Sequence, residues 1–217
     1  MLKLYSPKKA ERILEKNADW IGIVSRRYAV PAACVKAVLR KELAEIDLLD
    51  LVADLMVRLN WLRFRIRRFL FRRDGEQRGG QIPAGRHDSS TGYAQIFGYV
   101  AIDAANYALA RGLEEASELG LPEGCRPDSK SADDLCSMWH RLAGDKKYNI
   151  RLGTLNLIAA AEEMNGHTDF SRYTPEEFQR AFTRYNANVR HITDYGREVY
   201  GYYLRYSEAG NTQCISV

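Results

Sequence analysis

Apolar residues recur at three- and four-residue intervals along most of the chain, and few segments alternate as strands do. Ser6-Pro7 pairs a cap residue with proline at a first helical position. The stripe that follows, Ala10, Ile13, Leu14, Ile21, Val24 and Tyr28, predicts one helix over residues 7–28. Pro31 opens a second helix with Cys34, Val35, Val38 and Leu39 on its apolar face. Residues 47–73 interleave leucines and aromatics with seven arginines between Arg58 and Arg73; the first half reads as a core helix, the second as a basic amphipathic one. Asp74 to Arg86 is a glycine-rich loop with room for a short hairpin. Helices are expected over Tyr99–Leu113, from the Ser131 cap to about Ala143, and along Ile150, Gly153, Thr154, Leu157, Ile158 and Ala161 to an Asn165-Gly166 stop. Thr174-Pro175-Glu176-Glu177 is a capping box, and Ile192 to Tyr206 forms a last, tyrosine-rich stripe. The pattern predicts a mainly α fold, with at most a small β-hairpin near residues 76–90.

Composition narrows this little. At 217 residues, 46% hydrophobic and 28% charged, the chain suits a single globular domain over 1–217, with a basic helical insertion at about 47–86. The net charge of +4 suits an anionic polymer partner without requiring nucleic acid. Cys34, Cys125, Cys136 and Cys214 form no zinc-spaced cluster; only Cys125 and Cys136 are near enough in sequence for a local bridge, and reduced thiols are expected. No metal and no cofactor is expected. No run reaches the length of a membrane span, and the first residues do not read as a signal peptide, so action at a wall requires another export route.

Chemistry concentrates at two places. Glu42 continues the apolar face of the second helix, with Val38, Leu39, Glu45 and Ile46 as its helical neighbours. Partial desolvation there disfavours a charged carboxyl and suits a general acid; the alternative is a helix-end glutamate reaching water. Asp88-Ser89-Ser90-Thr91-Gly92-Tyr93-Ala94-Gln95-Ile96 crowds hydrogen-bonding groups into one turn. Such a turn suits a polyhydroxylated ligand, and is equally ordinary turn and cap chemistry.

Four elements in order, Glu42 after Pro-Xaa-Xaa-Cys-Val-Lys-Ala-Val, the Gly92-Tyr93-Ala94-Gln95 turn, Asn149-Ile150-Xaa-Xaa-Gly153, and Tyr185-Asn186, resemble the lytic transglycosylase and goose-type lysozyme superfamily. They touch about half of the chain. The resemblance implies a lysozyme-like helical fold cleaving the β-1,4 bond between N-acetylmuramic acid and N-acetylglucosamine in peptidoglycan. It makes Glu42 the catalytic acid, gives Ser90, Gly92, Gln95, Asn149, Tyr185 and Asn186 to the sugar site, and lets Tyr185 hold the Glu42 carboxyl. The sequence departs from the pattern in having Leu43 after Glu42, Tyr93-Ala94 inside the turn, and Arg184 and Asn188 around Tyr185-Asn186. Asp88 precedes the turn where goose-type lysozymes carry acidic residues, and is read either as a base positioning water or as a cap through Ser90 or Thr91.

Two further readings stand beside the enzyme. One is a non-catalytic, lysozyme-like glycan-binding or structural module of a phage or secretion assembly. The other is nucleic-acid binding through Arg58–Arg73, which leaves the four ordered motifs unexplained, so no nucleic acid is expected. The same arginines suit an anionic membrane or wall surface, or have stems that merely cover apolar side chains. A monomer is the simplest expectation.

Overall fold

The computed structural model describes residues 3–70 and 82–213. Its regular elements are helices: α1 Pro7–Lys16, α2 Ala18–Tyr28, α3 Ala32–Glu45, α4 Leu48–Leu70, α5 Gly98–Ala110, α6 Ala132–Gly144, α7 Lys146–Asn165, α8 Pro175–Asn186 and α9 Asp194–Gln213, with a short 3-10 turn at Phe170–Arg172. The fold is mainly α. No strand occurs among the described residues. The hairpin expected near 76–90 falls largely outside them, and the stretch from Ile82 to Ser90 is irregular.

The helix expected over 7–28 is two helices. Asn17 sits at φ −105°, ψ 10°, and its side-chain amide donates to Ile13 O at 2.7 Å, competing with the ladder for that carbonyl. The chain resumes from Asn17 O, which accepts from Ile21 N. Predicted caps are present: Ser6 Oγ accepts from Lys9 N, Ser131 Oγ from Asp134 N, and Thr174 with Glu177 closes a reciprocal capping box. Gly166, at φ +77°, ends α7.

The chain divides into two compact units. One runs Ile46–Gly153; the other joins Lys3–Glu45 to the chain from Thr154 onward. In the second unit α3 packs on α1, α2 and α9, and α9 on α8. Gly196 permits that last approach, because a Cβ there would stand 2.5 Å from Gln179 O. Phe178 stacks on Tyr203 with centroids 4.4 Å apart and on Tyr200 at 6.1 Å, so Tyr203 of the terminal stripe, and Tyr200 beside it, belong to the packing. Glu11 collects Arg40 Nε at 2.7 Å and the Tyr206 hydroxyl at 2.9 Å, tying α1 to α3 and α9.

In the first unit α5 packs on α6. Trp61 and Trp139 are fully buried. The first half of α4, expected in a core, buries only Ala53 and Val57, while Leu48, Leu49, Leu51, Val52, Leu55 and Met56 are exposed. The helical period is intact, but the broad apolar face outruns what the unit covers. Cys34, Cys125 and Cys136 are free thiols, with Cys125 exposed and Cys136 buried; Cys214 lies outside the described residues. No described helix is long and apolar enough to cross a membrane.

Candidate functional site

Glu42 lies one turn before the end of α3 and is 7% exposed. Val38, Leu39 and Ile46, its predicted neighbours, are buried, as is Leu43. The Tyr195 hydroxyl, from the first turn of α9, donates to Glu42 Oε1. Burial disfavours a carboxylate and a donated hydrogen bond favours it, so the two act on Glu42 in opposite directions. Desolvation, followed by the nearby Glu42 charge, raises the Tyr185 and Tyr195 phenols well above their ordinary value, and both stay protonated donors at neutral pH. Glu45, one turn on, is a different kind of residue. It is exposed, takes hydrogen bonds from Lys3 Nζ at 2.6 Å and Lys41 Nζ at 3.1 Å, and the Lys3 bond leads in holding its carboxyl below the usual range. Lys41 also donates to Glu198.

The sequence reading gave Tyr185 the task of holding this carboxyl. Tyr185 is buried on α8 and close enough for Glu42 to raise its pKa, and a second tyrosine, Tyr195, donates its hydroxyl to Glu42 Oε1. Asn186 ends α8 in solvent. A cavity of about 440 Å³ in the same unit is lined by Glu163, Met164, Arg180, Arg184, Asn188, Val189 and Arg190, without Glu42. Glu163 and Arg184 form an ion pair across 2.8 Å.

The polar turn belongs to the other unit, and its construction starts from Asp54 on α4. Asp54 Oδ1 accepts from Ser89 Oγ at 2.7 Å and Oδ2 from Thr91 Oγ1 at 2.9 Å. Trp61 Nε1 donates to His87 O at 2.9 Å, and Trp139 Nε1 to Ser89 Oγ at 3.0 Å. Two buried indoles and a carboxylate thus hold residues 87–91 in place. Ser89 and Thr91, expected to offer hydroxyls to a ligand, are buried and spend them on Asp54.

Asn149, at the start of α7, is fully buried. Its Oδ1 accepts from Ala94 N at 2.7 Å and its Nδ2 donates to Thr91 O at 2.9 Å. Both ends of its amide are therefore used on the turn backbone, which makes it a positioning residue and corrects its expected part as a ligand contact. Gly92, at φ +73°, fits against it: a Cβ would come within 2.2 Å of Asn149 Nδ2. Gln95, at φ +43°, folds its own amide inward, Nε2 donating to Gly92 O at 2.7 Å and Oε1 accepting from Ser90 Oγ at 3.3 Å. Ser90, Gly92, Tyr93 and Gln95 remain half-exposed.

Asp88 caps a helix. Its carboxylate accepts from Ser89 N at 2.9 Å, Gly98 N at 2.8 Å and Tyr99 N at 3.0 Å, so it completes the first turn of α5 from ten residues upstream. Desolvation, the largest influence, raises its pKa despite these three donors. The sequence reading missed Asp54, Trp61, Trp139 and Tyr195. The available signal for Asp54 was its place beside the Ala53–Val57–Trp61 face, where a lone acid calls for partners. Among the described residues no group of three or more acidic, histidine or cysteine side chains is placed to hold a metal ion.

Comparison with protein-family models, curated proteins and solved structures finds no match for the chain.

Proposed function

We propose that the protein cleaves the β-1,4 bond between N-acetylmuramic acid and N-acetylglucosamine in peptidoglycan, with Glu42 as the acid. The observation that carries this reading is a carboxyl buried on an apolar helix face with a tyrosine hydroxyl fixed on one oxygen. Glycoside cleavage needs a carboxyl that gives a proton to the leaving oxygen, and a buried carboxyl is suited to hold that proton. The four ordered motifs supply the substrate class.

Of the two outcomes, non-hydrolytic cleavage fits better. Inverting hydrolysis calls for a second carboxylate free to activate water. Both oxygens of Asp88 are engaged by backbone N–H groups at the start of α5. In the non-hydrolytic route Glu42 protonates the glycosidic oxygen, the C1–O bond breaks, and the muramyl C6 hydroxyl closes on C1. The hydroxyl proton returns to the Glu42 carboxylate, which leaves a 1,6-anhydro end and restores the acid.

Glu42→Gln should abolish clearing of a peptidoglycan suspension while far-UV circular dichroism stays unchanged, and mass spectrometry of wild-type digests should find anhydro ends. Clearing that survives the substitution removes the assignment; reducing ends would restore hydrolysis.

A further inference from the structure

The exposed face of α4 is unaccounted for by the proposed chemistry. Leu48, Val52, Leu55, Leu59, Leu62 and Ile66 repeat at intervals of three and four and are each about half exposed, and Phe69, at 85%, continues the line. At about 100° per residue they form one stripe roughly 30 Å long, opposite the Ala53, Val57 and Trp61 face that packs inward. Arginines border it on both sides. Arg63 and Arg67 lie exposed along one edge; along the other, Arg58 and Arg65 are also exposed, with Arg58 over the Trp139 ring and Arg65 beside Cys136. Arg68 turns away to pair with Asp133. No acidic residue occurs between Leu55 and Leu70.

We infer that α4 lies flat on an anionic lipid surface, with its leucine stripe in the acyl boundary and the flanking arginines at the headgroup phosphates. An apolar stripe with a cation on each flank is the arrangement that places both groups at their preferred depth in such an interface. A second copy of the chain fits the charge pattern poorly. Stripe-to-stripe pairing would set one arginine border against another, with no carboxylate between Leu55 and Leu70 to offset it. A purely charged polymer would use the arginines and leave the leucines without a role.

The test is co-sedimentation of the full chain with phosphatidylcholine vesicles and with vesicles of equal phosphatidylcholine and phosphatidylglycerol. The wild type should partition to the mixed vesicles at least about tenfold better than to the neutral ones, and lose that advantage with added salt. Leu59→Ser with Leu62→Ser, which keeps every charge, and Arg63→Gln with Arg67→Gln should each weaken partitioning about tenfold or more. These side chains are exposed, so the variants should melt like the wild type; if a pair fails to fold, Phe69→Ser gives the same readout. Glu42→Gln should bind vesicles as the wild type does, which separates this surface from the cleavage reaction. Absence of low-salt binding to mixed vesicles overturns the inference. So does full retention of the leucine variant, which would mean charge alone, or a concentration-dependent dimer in sedimentation velocity that the leucine variant disperses and that binds no vesicles.

Discussion

Tyr195 is the residue that separates geometry from acidity at Glu42. Its hydroxyl donates to one carboxyl oxygen, and under the proposed reaction that bond orients the acid. Tyr195→Phe keeps the ring and removes only that bond. The expected result is a kcat lower by about ten- to a hundredfold with KM little changed, since misplacing a catalytic group costs on that order. A stability loss of roughly 1–3 kcal/mol should accompany it, the range for leaving a buried polar group without its partner. Steady-state rates on soluble glycan fragments and a denaturant titration would measure both. The burial of Glu42 was legible from a count of threes and fours along one helix. Tyr195 was not, because 153 residues separate the pair and nothing local to either marks the other.

Among the elements, the turn before α5 depends most on an unusual backbone. Gly92 combines a left-handed φ with a Cβ position already filled by Asn149. Gly92→Ala should therefore displace the Asn149 amide and release the Ala94 and Thr91 backbone groups that it holds. The expected loss is about 2–4 kcal/mol, from strain plus unpaired buried polar groups. A thermal melt read through Trp139, whose indole donates into the same segment, would report it. Helix caps and stripes were readable because each is written within a few residues, as at Thr174-Pro175-Glu176-Glu177. The break at Asn17 and the exposed stripe of α4 were not. The first turns on one side-chain amide competing for one carbonyl, and the second on how much of an apolar face the fold covers.

At the scale of the whole molecule, acidity acts on the fold through Asp54 and Asp88. Burial is the leading cause in both, and it raises each carboxyl above its ordinary value near 3.8. The native state then keeps these protons to higher pH than the unfolded chain does. Stability attributable to these groups accordingly falls as pH rises from about that ordinary value through the raised one. In Asp54→Asn one of the two no longer titrates, so the wild-type melting temperature relative to this variant should decrease across that window. A difference that stays constant from below about pH 3.8 up to neutral pH would contradict it.

The division of the chain has a temporal side. The unit holding Glu42 is left at Glu45 and rejoined only at Thr154. On the ribosome, α3 emerges long before the segment that carries Tyr195. At about 5–20 residues per second, the separation of 153 positions corresponds to roughly 8–30 s of synthesis. Throughout that interval Glu42 is a solvated carboxyl on a nascent chain, without its hydroxyl partner. Under the proposed reaction a half-made protein is chemically silent, and its acid is armed only when α9 docks.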